Sequence, residues 1–237
     1  MSINNKYRNV FISAVLTMHN EELYLGQCID SVLAQDHDNF EFIIIDDGST
    51  DRSCEIVESY HDNRIQLYRN HQDYIQSLNL GISKASGKYI AYVDADDVMY
   101  KSRFSEQIYY MEQHGDVDIS GAFMESFGHL NVDYTAPTDN LHIISDLLWG
   151  VQVFHPVMMF RTSSIVSRCM KDHLYNPQCP LCEDYALLVS SALQGMSFGN
   201  VPQKLVHYRL SEKQLTCSKA KQVKFYMLQV RRRYYNH

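Results

Sequence analysis

Short apolar runs alternate with longer amphipathic stretches through the first half of the chain, and this alternation most constrains the fold. Four runs are predicted strands: residues 11–18, 40–45, 65–68 and 89–93. Three stretches between them have apolar side chains at helical spacing: residues 25–33, a segment that ends at residue 60, and residues 74–85. Strands that alternate with helices form mainly parallel sheets with helices on both faces. The sequence therefore predicts an α/β fold.

Acidic side chains follow two of these predicted strands. Asp46 and Asp47 end the second strand, and Asp94, Asp96 and Asp97 follow the fourth. Open α/β sheets bind their ligands beyond the carboxyl ends of the strands, so we expect both clusters to face one site. The first cluster alone would also be explained by an ordinary turn. Three carboxylates within four residues repel one another, and a bound divalent cation offsets that repulsion.

The chemistry of such a cluster favours Mn²⁺ or Mg²⁺. Hard cations bind one or two carboxylates together with substrate phosphates. A metal between a carboxylate and a diphosphate neutralises the charge that develops on a departing phosphate. The chain contains neither G-x-x-x-x-G-K-[ST] nor G-x-G-x-x-G, which argues against P-loop and dinucleotide-binding functions.

The second half of the chain is less regular. Predicted helices cover residues 103–114, 183–194 and 218–235, and predicted strands cover residues 118–123 and 205–208. Residues 128–140 lack periodicity and are predicted to form a surface loop. Because no repeat or low-complexity linker interrupts the chain, we predict one domain over residues 1–217, followed by a terminal helix over residues 218–237.

Charge is distributed unevenly along the chain. The net charge of −7 argues against a nucleic-acid partner. Residues 204–237 hold nine of the 21 Lys and Arg residues but one of the 28 Asp and Glu residues, a net of +8 against −15 for the rest. The terminal helix is therefore basic and amphipathic, which predicts peripheral contact with an anionic membrane surface. Packing of its apolar side on the body of the protein is the alternative.

Targeting and cysteine patterns indicate a cytoplasmic protein. The apolar run at residues 10–18 is followed by no cleavage site and is far shorter than the ~20 residues of a membrane span, so it is predicted to be a strand. The 6 cysteines are unevenly spaced, as is usual for reduced thiols. Cys169, His173, Cys179 and Cys182 could together hold zinc, but their spacing matches no familiar zinc finger.

Four segments occur in the order and spacing of family 2 glycosyltransferases: LTMHNEE at 16–22, FEFIIIDDGSTD at 40–51, LNLGI at 78–82 and GKYIAYVDADD at 87–97. The chain thus resembles inverting, nucleotide-sugar-dependent enzymes of the GT-A fold. The similarity is strong over residues 10–115 and weaker to about residue 216. It implies a nucleotide-sugar-binding half over residues 1–115 and an acceptor-binding half over residues 116–217.

The resemblance also implies roles on the donor side. Thr17 and Asp47 would contact the base and ribose of the nucleotide, with Asp47 pairing to the uracil edge. Asp94 and Asp96 match the D-x-D motif, with Asp94 toward the ribose and Asp96 toward the metal on the diphosphate. The other implied donor-binding residues are Asn20, Glu21, Asn79, Ala95 and Arg209.

On the acceptor side, the resemblance assigns the general base. Asp184, beside Glu183, matches the carboxylate that deprotonates the acceptor hydroxyl, and His155 matches an element that lines the acceptor. A base opposite the leaving group produces inversion. A helix start stabilised by the macrodipole would also explain the acidic pair. The implied substrates are a UDP-sugar and a saccharide or lipid-linked saccharide, used in bacterial polysaccharide or glycolipid synthesis on the inner membrane face.

Three other functions fit part of the pattern. The run from Asp94 to Val98 satisfies the D-x-D-x-[TV] motif of haloacid-dehalogenase-like phosphatases, but that motif normally follows the first strand. Asp46, Asp47 and Asp94 could form the acidic pocket of a receiver domain, although such domains have about half this length. A non-catalytic sugar-nucleotide-binding module is the third alternative, and the presence of Asp184 together with the D-x-D motif argues against it.

Overall fold

The computed structural model describes residues 6–168, 173–210 and 219–235. Within these residues nine strands form one sheet: β1 (Ile12–Met18), β2 (Phe40–Asp46), β3 (Ile65–Arg69), β4 (Tyr89–Asp94), β5 (Val98–Met99), β6 (Ile119–Gly128), β7 (Asp133–Tyr134), β8 (Met159–Arg161) and β9 (Phe198–Leu210). The described part also has eight α-helices: α1 (Leu25–Leu33), α2 (Ser53–Ser59), α3 (Tyr74–Lys84), α4 (Arg103–Gln113), α5 (Asn140–Asp146), α6 (Thr162–Ser167), α7 (Glu183–Leu193) and α8 (Ala220–Tyr235). A single turn of 3-10 helix covers His155–Val157.

The sheet joins both halves of the chain in the order β3-β2-β1-β4-β8-β6-β9-β5, with β7 paired to β6. Strands β1 to β4 are mutually parallel, as predicted. Strand β8 then pairs antiparallel with β4, and β5 pairs antiparallel with β9. The second half of the chain therefore adds its strands to the same sheet, which becomes a mixed parallel and antiparallel sheet.

Apolar cores cover both faces of the sheet. Every residue of β1 and β2 is buried, which matches their continuous apolar sequences. Val15 packs with residues of α3 and α7 on one face, whereas Leu16 packs with residues of α1 and α4 on the other. Because alternate side chains point to opposite faces, the two strands are fixed in register.

Gly87 brings the start of β4 close to β1. A Cβ atom at this position would lie 2.5 Å from the main-chain nitrogen of Ser13 and 2.6 Å from the carbonyl carbon of Ile12. The Gly87 N–H donates to the Ser13 hydroxyl at 2.8 Å. This approach places Thr17 of β1 opposite Asp94 of β4 at the carboxyl end of the sheet.

Three features of the second half differ from the sequence prediction or fall beyond it. Residues 198–210 form one 13-residue strand, β9, where a short strand at 205–208 was expected. The predicted loop at residues 128–140 contains β7, which pairs with β6. Both differences arise from pairing with β6, a distant partner that local periodicity does not reveal. The predicted domain boundary at residues 217–218 lies outside the described residues.

Candidate active site

The acidic clusters meet at one edge of the sheet. Thr17 is paired in register with Asp94 on one side, and the neighbouring Met18 is paired with Asp46 on the other. The structure therefore brings the ends of β2 and β4 to the same edge, on either side of β1. Ala95 is buried directly beyond β4, and the carboxyl groups of Asp94 and Asp96 flank it at this edge.

The end of β2 contacts the start of α3. Asp47 is buried, and its Oδ1 accepts hydrogen bonds from the Asp73 N–H at 2.9 Å and the Ser77 hydroxyl at 2.7 Å. The Thr17 Oγ1 atom is also buried and has no hydrogen-bond partner among the described residues. A buried hydroxyl without a partner is costly, so Thr17 is suited to bind a ligand.

The loop after β1 is tied to the loop after β2. Asn20 adopts a left-handed backbone conformation with φ 58°, and its Oδ1 accepts from the Thr50 N–H at 2.8 Å. The pKa of the next residue, Glu21, is raised to about 7 by burial and by the negative charges of Asp96 and Asp51. Glu21 therefore lies on the same acidic surface as the D-x-D motif.

The two outer carboxylates of the Asp94–Asp97 run have different environments. Burial, followed by repulsion from Asp96, raises the pKa of Asp94 to about 8. Asp97 is buried; its Oδ1 accepts the Arg209 N–H at 2.8 Å, while its Oδ2 has no partner among the described residues. Asp97 is thus the buried carboxyl group that anchors the loop to β9, whereas Asp94 and Asp96 are partly exposed to solvent.

A buried arginine lies beneath this loop. Arg103 is completely inaccessible to solvent, and it donates to the Tyr92 carbonyl oxygen at 2.6 Å and to the Gln107 Oε1 at 3.1 Å. Burial lowers its pKa to about 10, whereas the charges of Asp94 and Asp97 oppose this shift. Arg103 therefore remains a cation at neutral pH and offsets part of the negative charge above it.

Arg209 holds the acidic loop from the side of β9. Its Nε donates to the Asp96 carbonyl oxygen at 2.7 Å, and its terminal nitrogen donates to the Gln27 Oε1 at 2.6 Å. The guanidinium lies 4.1 Å from the ring centre of Tyr24 and 4.4 Å from that of Phe127. Arg209 was predicted to bind the donor, and the structure places it directly beside the D-x-D motif.

The predicted base lies in the first turn of α7. Burial raises the pKa of Asp184, whose Oδ1 accepts the Tyr185 N–H at 2.6 Å. Burial and the neighbouring Asp184 charge raise the pKa of Glu183 to about 7, and its Oε2 is buried without a partner in the described chain. Both carboxylates act electrostatically on the pKa of Tyr74, as Asp94 does, so the predicted base and the acidic loop both lie near this tyrosine.

His155 and Asn79 occupy the space behind Asp94. The His155 Nδ1 lies 3.9 Å from the Asp94 Oδ1, and its ring stacks on Tyr92 with centroids 3.8 Å apart. Asn79, predicted to bind the donor, uses both polar atoms of its amide on the main chain of Tyr175. In this structure Asn79 therefore anchors a neighbouring loop.

Sequence reasoning missed Arg103 and three tyrosines, Tyr74, Tyr92 and Tyr175. In the sequence, nothing distinguishes these three tyrosines from the rest of the 17 tyrosines, or Arg103 from the other arginines. Tyr74 and Tyr92 have their hydroxyl oxygens 3.3 Å apart, and burial raises the pKa values of Tyr92 and Tyr175. They wall the space between Asp94 and α7.

The carboxyl groups at this edge of the sheet are the candidate metal ligands. Among the described residues, no three His, Cys, Asp or Glu side chains form a group that could hold a metal ion without other ligands. The carboxyl oxygens of Asp94 and Asp96 nevertheless suit a hard cation whose remaining ligands come from a diphosphate. Of the four residues considered for zinc, Cys169 lies outside the described residues, while Cys179 and Cys182 are buried thiols.

A sequence model of the family described as "Glycosyl transferase family 2" matches residues 13–169, which include β1 to β6 and the acidic loop. The chain belongs to this family. A glycosyltransferase of Haemophilus influenzae is 29% identical over 212 residues, covering 84% of this chain and 65% of the relative. Glycosyltransferase GlyG of Streptococcus pneumoniae is 39% identical over 112 residues, which cover 46% of this chain and 37% of GlyG. The chain thus spans less than two thirds of the length of these two relatives.

Solved structures confirm the predicted GT-A fold. TarS 1-349 of S. aureus, in complex with UDP-GlcNAc, matches with a TM-score of 0.73 and 19% identity, covering 92% of this chain and 65% of TarS. The mannosyltransferase PcManGT of Pyrobaculum calidifontis, in complex with GDP-Man and Mn²⁺, matches with a TM-score of 0.67 and 14% identity, covering 89% and 60%. At these identities the likeness establishes the fold alone.

Proposed function

We propose that this protein is a glycosyltransferase that moves a sugar from a nucleotide-sugar to a hydroxyl acceptor, with inversion at the anomeric carbon. One observation carries the proposal: carboxyl groups at the end of β4 and the start of α7 border the same space. The charge of Glu183 contributes to the raised pKa of Asp94. Because inverting transfer needs a donor-side group and an opposed base around one sugar ring, this arrangement supports the activity. Family 2 membership supports it as well and argues against the phosphatase alternative.

The donor is assigned to the ends of β1, β2 and β4. Thr17 offers a buried hydroxyl that lacks a partner among the described residues, and Asp47 offers a carboxylate already held by two donors. These groups match the hydrogen-bonding edge of a nucleotide base and its ribose. We assign a UDP-sugar because Asp47 is the residue that the family resemblance pairs with uracil.

Asp96 is assigned to Mn²⁺ or Mg²⁺. Bound against the diphosphate, such an ion would supply charge neutralisation to the departing phosphate. The donor set fits, because the electrostatic repulsion between Asp94 and Asp96 is the kind of cost that a cation relieves. The complex of PcManGT with GDP-Man and Mn²⁺, a protein of the same fold, supports this choice.

Asp184 is assigned as the general base. It would accept the proton of the acceptor hydroxyl as that oxygen attacks the anomeric carbon. Burial raises the pKa of Asp184 and makes it a stronger base than an exposed aspartate. The neighbouring Glu183 stays protonated over part of the neutral range, since its pKa is about 7, and this limits charge repulsion at the site.

The donor assignment predicts a thermal shift. At 100 times its dissociation constant, a ligand adds ~2.7 kcal/mol to the free energy of unfolding, which is about 5–10 °C in Tm for a chain of this size. UDP and UDP-sugars should produce this shift with Mn²⁺ present, and Asp96→Asn should remove the Mn²⁺ dependence. If no nucleoside diphosphate raises Tm, the proposed function is wrong.

We further propose a lipid-linked saccharide acceptor in polysaccharide or glycolipid synthesis, approached through membrane contact by α8. None of the described helices is long and apolar enough to cross a membrane. Helix α8 packs its inner face on α7, with Val230 buried. Its outer face carries Lys221, Phe225, Leu228 and Arg232, one above another at helical spacing.

The exposed side chains of this stripe are suited to an anionic bilayer. Phe225 is 55% exposed and Leu228 is 47% exposed, and a base lies beyond each of them along the helix. Trp149 is 73% exposed, and its carbonyl oxygen accepts a hydrogen bond from Arg231. Apolar side chains flanked by bases, with a tryptophan beside them, are typical of interfacial helices.

Vesicle co-sedimentation tests the membrane contact. Each basic residue near an anionic surface contributes ~1 kcal/mol, so the double variant Lys221→Gln, Arg232→Gln should bind phosphatidylserine-containing vesicles about 30-fold more weakly. The double variant Arg52→Gln, Lys101→Gln, which removes two exposed bases outside α8, is the matched control and should bind normally. Equal binding by the α8 double variant and the wild type would contradict the contact, as would absence of binding at low salt.

A further inference from the structure

One amide side chain holds the loop that precedes the proposed base. Asn79 of α3 donates from Nδ2 to the Tyr175 carbonyl oxygen and accepts at Oδ1 from the Tyr175 N–H, both at 2.8 Å. The two residues are 96 positions apart. Both hydrogen bonds are buried, and only an amide offers a donor and an acceptor in this geometry. Asn79 therefore fixes the main chain eight residues before Glu183.

Tyr175 passes this constraint to His155. Its hydroxyl lies 2.8 Å from the His155 Nε2, and the two rings meet edge to face at 88° with centroids 5.6 Å apart. Tyr175 is completely buried, so its hydroxyl has no access to water as an alternative partner. The hydrogen bond therefore holds the imidazole in one orientation.

The far side of the imidazole faces the D-x-D motif. The His155 Nδ1 lies 3.9 Å from the Asp94 Oδ1, and Tyr92 covers one face of the ring. The imidazole is buried, which favours its neutral form with one ring proton. When the Tyr175 hydroxyl donates to Nε2, the ring proton lies on Nδ1, the nitrogen that faces Asp94.

We propose that Asn79 and Tyr175 are positioning residues, which hold His155 as the Nδ1-protonated tautomer directed at Asp94 and keep the donor-side carboxylate aligned with the base on α7. The inference rests on the proposed glycosyltransferase activity. It adds a role for two residues that would contact neither the donor nor the acceptor. Their effect reaches the reaction through the orientation of His155 and through the loop that leads into Glu183 and Asp184.

Two variants separate these two routes. Tyr175→Phe removes one hydroxyl and leaves the main-chain anchor intact, so we expect kcat to fall by about 10-fold, the value of one buried hydrogen bond. Asn79→Asp keeps the side-chain shape but loses the donor, and misplacement of the loop should lower kcat by about 10²-fold. The donor KM should change by less than about twofold in Tyr175→Phe, since the donor contacts remain. Tyr109→Phe and Asn63→Asp, at exposed positions on other elements, are the matched controls.

The tautomer is a readout that general destabilisation would not change. In ¹⁵N-histidine-labelled protein, the His155 signals should have the shifts of an Nδ1-protonated ring. In Tyr175→Phe the Nε2-protonated form should increase, because Nε2 has lost its donor. This measurement needs no substrate, so it tests the inference even if the donor has been misidentified.

The outcomes are distinct. An Nδ1-protonated ring in the wild type, a tautomer shift in Tyr175→Phe and a lowered kcat would support the inference. An Nε2-protonated ring in the wild type would overturn it, and so would a wild-type kcat in Tyr175→Phe. If Asn79→Asp fails to fold, Tyr175→Phe still decides the question. Failure of every nucleotide-sugar to bind or react would instead refute the proposed function and leave the tautomer result standing.

Discussion

Replacing Asp184 by asparagine is expected to lower kcat by about 10²- to 10⁴-fold, the usual contribution of a positioned general base. Asparagine has nearly the same shape, and its amide oxygen can still accept the Tyr185 N–H that Asp184 binds at 2.6 Å. The donor site should be unaffected, so the thermal shift produced by UDP and Mn²⁺ should match that of the wild type. Release of nucleoside diphosphate in the presence of acceptor would measure the loss.

Glu183→Gln is the matched control for this substitution, since it removes the adjacent carboxylate from the same helical turn. We expect it to retain more activity than Asp184→Asn. Wild-type kcat/KM should increase with pH as Asp184 ionises. Because burial raises the pKa of Asp184, this increase should occur at a higher pH than the ordinary aspartate pKa of about 3.9. Wild-type turnover in Asp184→Asn, or a larger loss in Glu183→Gln, would show that the base is misassigned.

Replacing Arg103 by methionine is expected to cost about 3–5 kcal/mol in the free energy of unfolding, as does removal of one partner from other buried charge clusters. The side chain is fully buried beneath Asp94 and Asp97 and donates to the Tyr92 carbonyl oxygen. Methionine fills a similar volume but leaves that oxygen without its donor and the carboxyl groups without their cation. Urea unfolding followed by circular dichroism would measure the difference.

Arg52→Met provides the surface comparison. Its side chain is 75% exposed and pairs with Glu22, so the change should stay within ~0.5 kcal/mol. A loss below ~1 kcal/mol in Arg103→Met would mean that hydrogen bonds elsewhere, and not this cation, hold the acidic loop together.

The first half of the fold could be predicted almost residue by residue. Strands β1, β2 and β4 are continuous apolar runs bounded by turn residues, and their observed ends lie within one residue of the predicted ones. A strand that is buried on both faces of a parallel sheet is a continuous apolar run, and such a run can be recognised without knowing which strands it pairs with. The acidic residues at the strand ends then followed from the topology.

Strand β9 could not be predicted in this way. It includes Pro202 and spans 13 residues, and its pairing with β6 changes register near Phe123. Proline lacks an N–H and normally interrupts a strand. Here Pro202 lies where the pairing between β9 and β6 is irregular. The information that makes residues 198–210 a strand therefore resides in a partner about 80 residues earlier.

The candidate site shows the same division. Clustered carboxylates at a strand end predict Asp94 and Asp96 as site residues, and the family resemblance predicts Asp184. Arg103 and Tyr175 could not, since a buried arginine and a buried tyrosine look like any others in sequence. Their roles depend on hydrogen bonds to main-chain atoms, which carry no sequence signature.

The hydrogen bonds between Arg209 and the acidic loop also bear on how the protein is made. The loop at Asp96 and Asp97 is held by a residue 113 and 112 positions later in the chain. On the ribosome, β1 to β4 emerge first and can pair with each other. At that stage the Asp97 carboxylate still lacks the Arg209 N–H, and the Asp96 carbonyl oxygen still lacks the Arg209 guanidinium. The acidic loop is therefore held in place only after β9 has been synthesised, and a nascent chain carrying only the first parallel strands has the sheet without these hydrogen bonds.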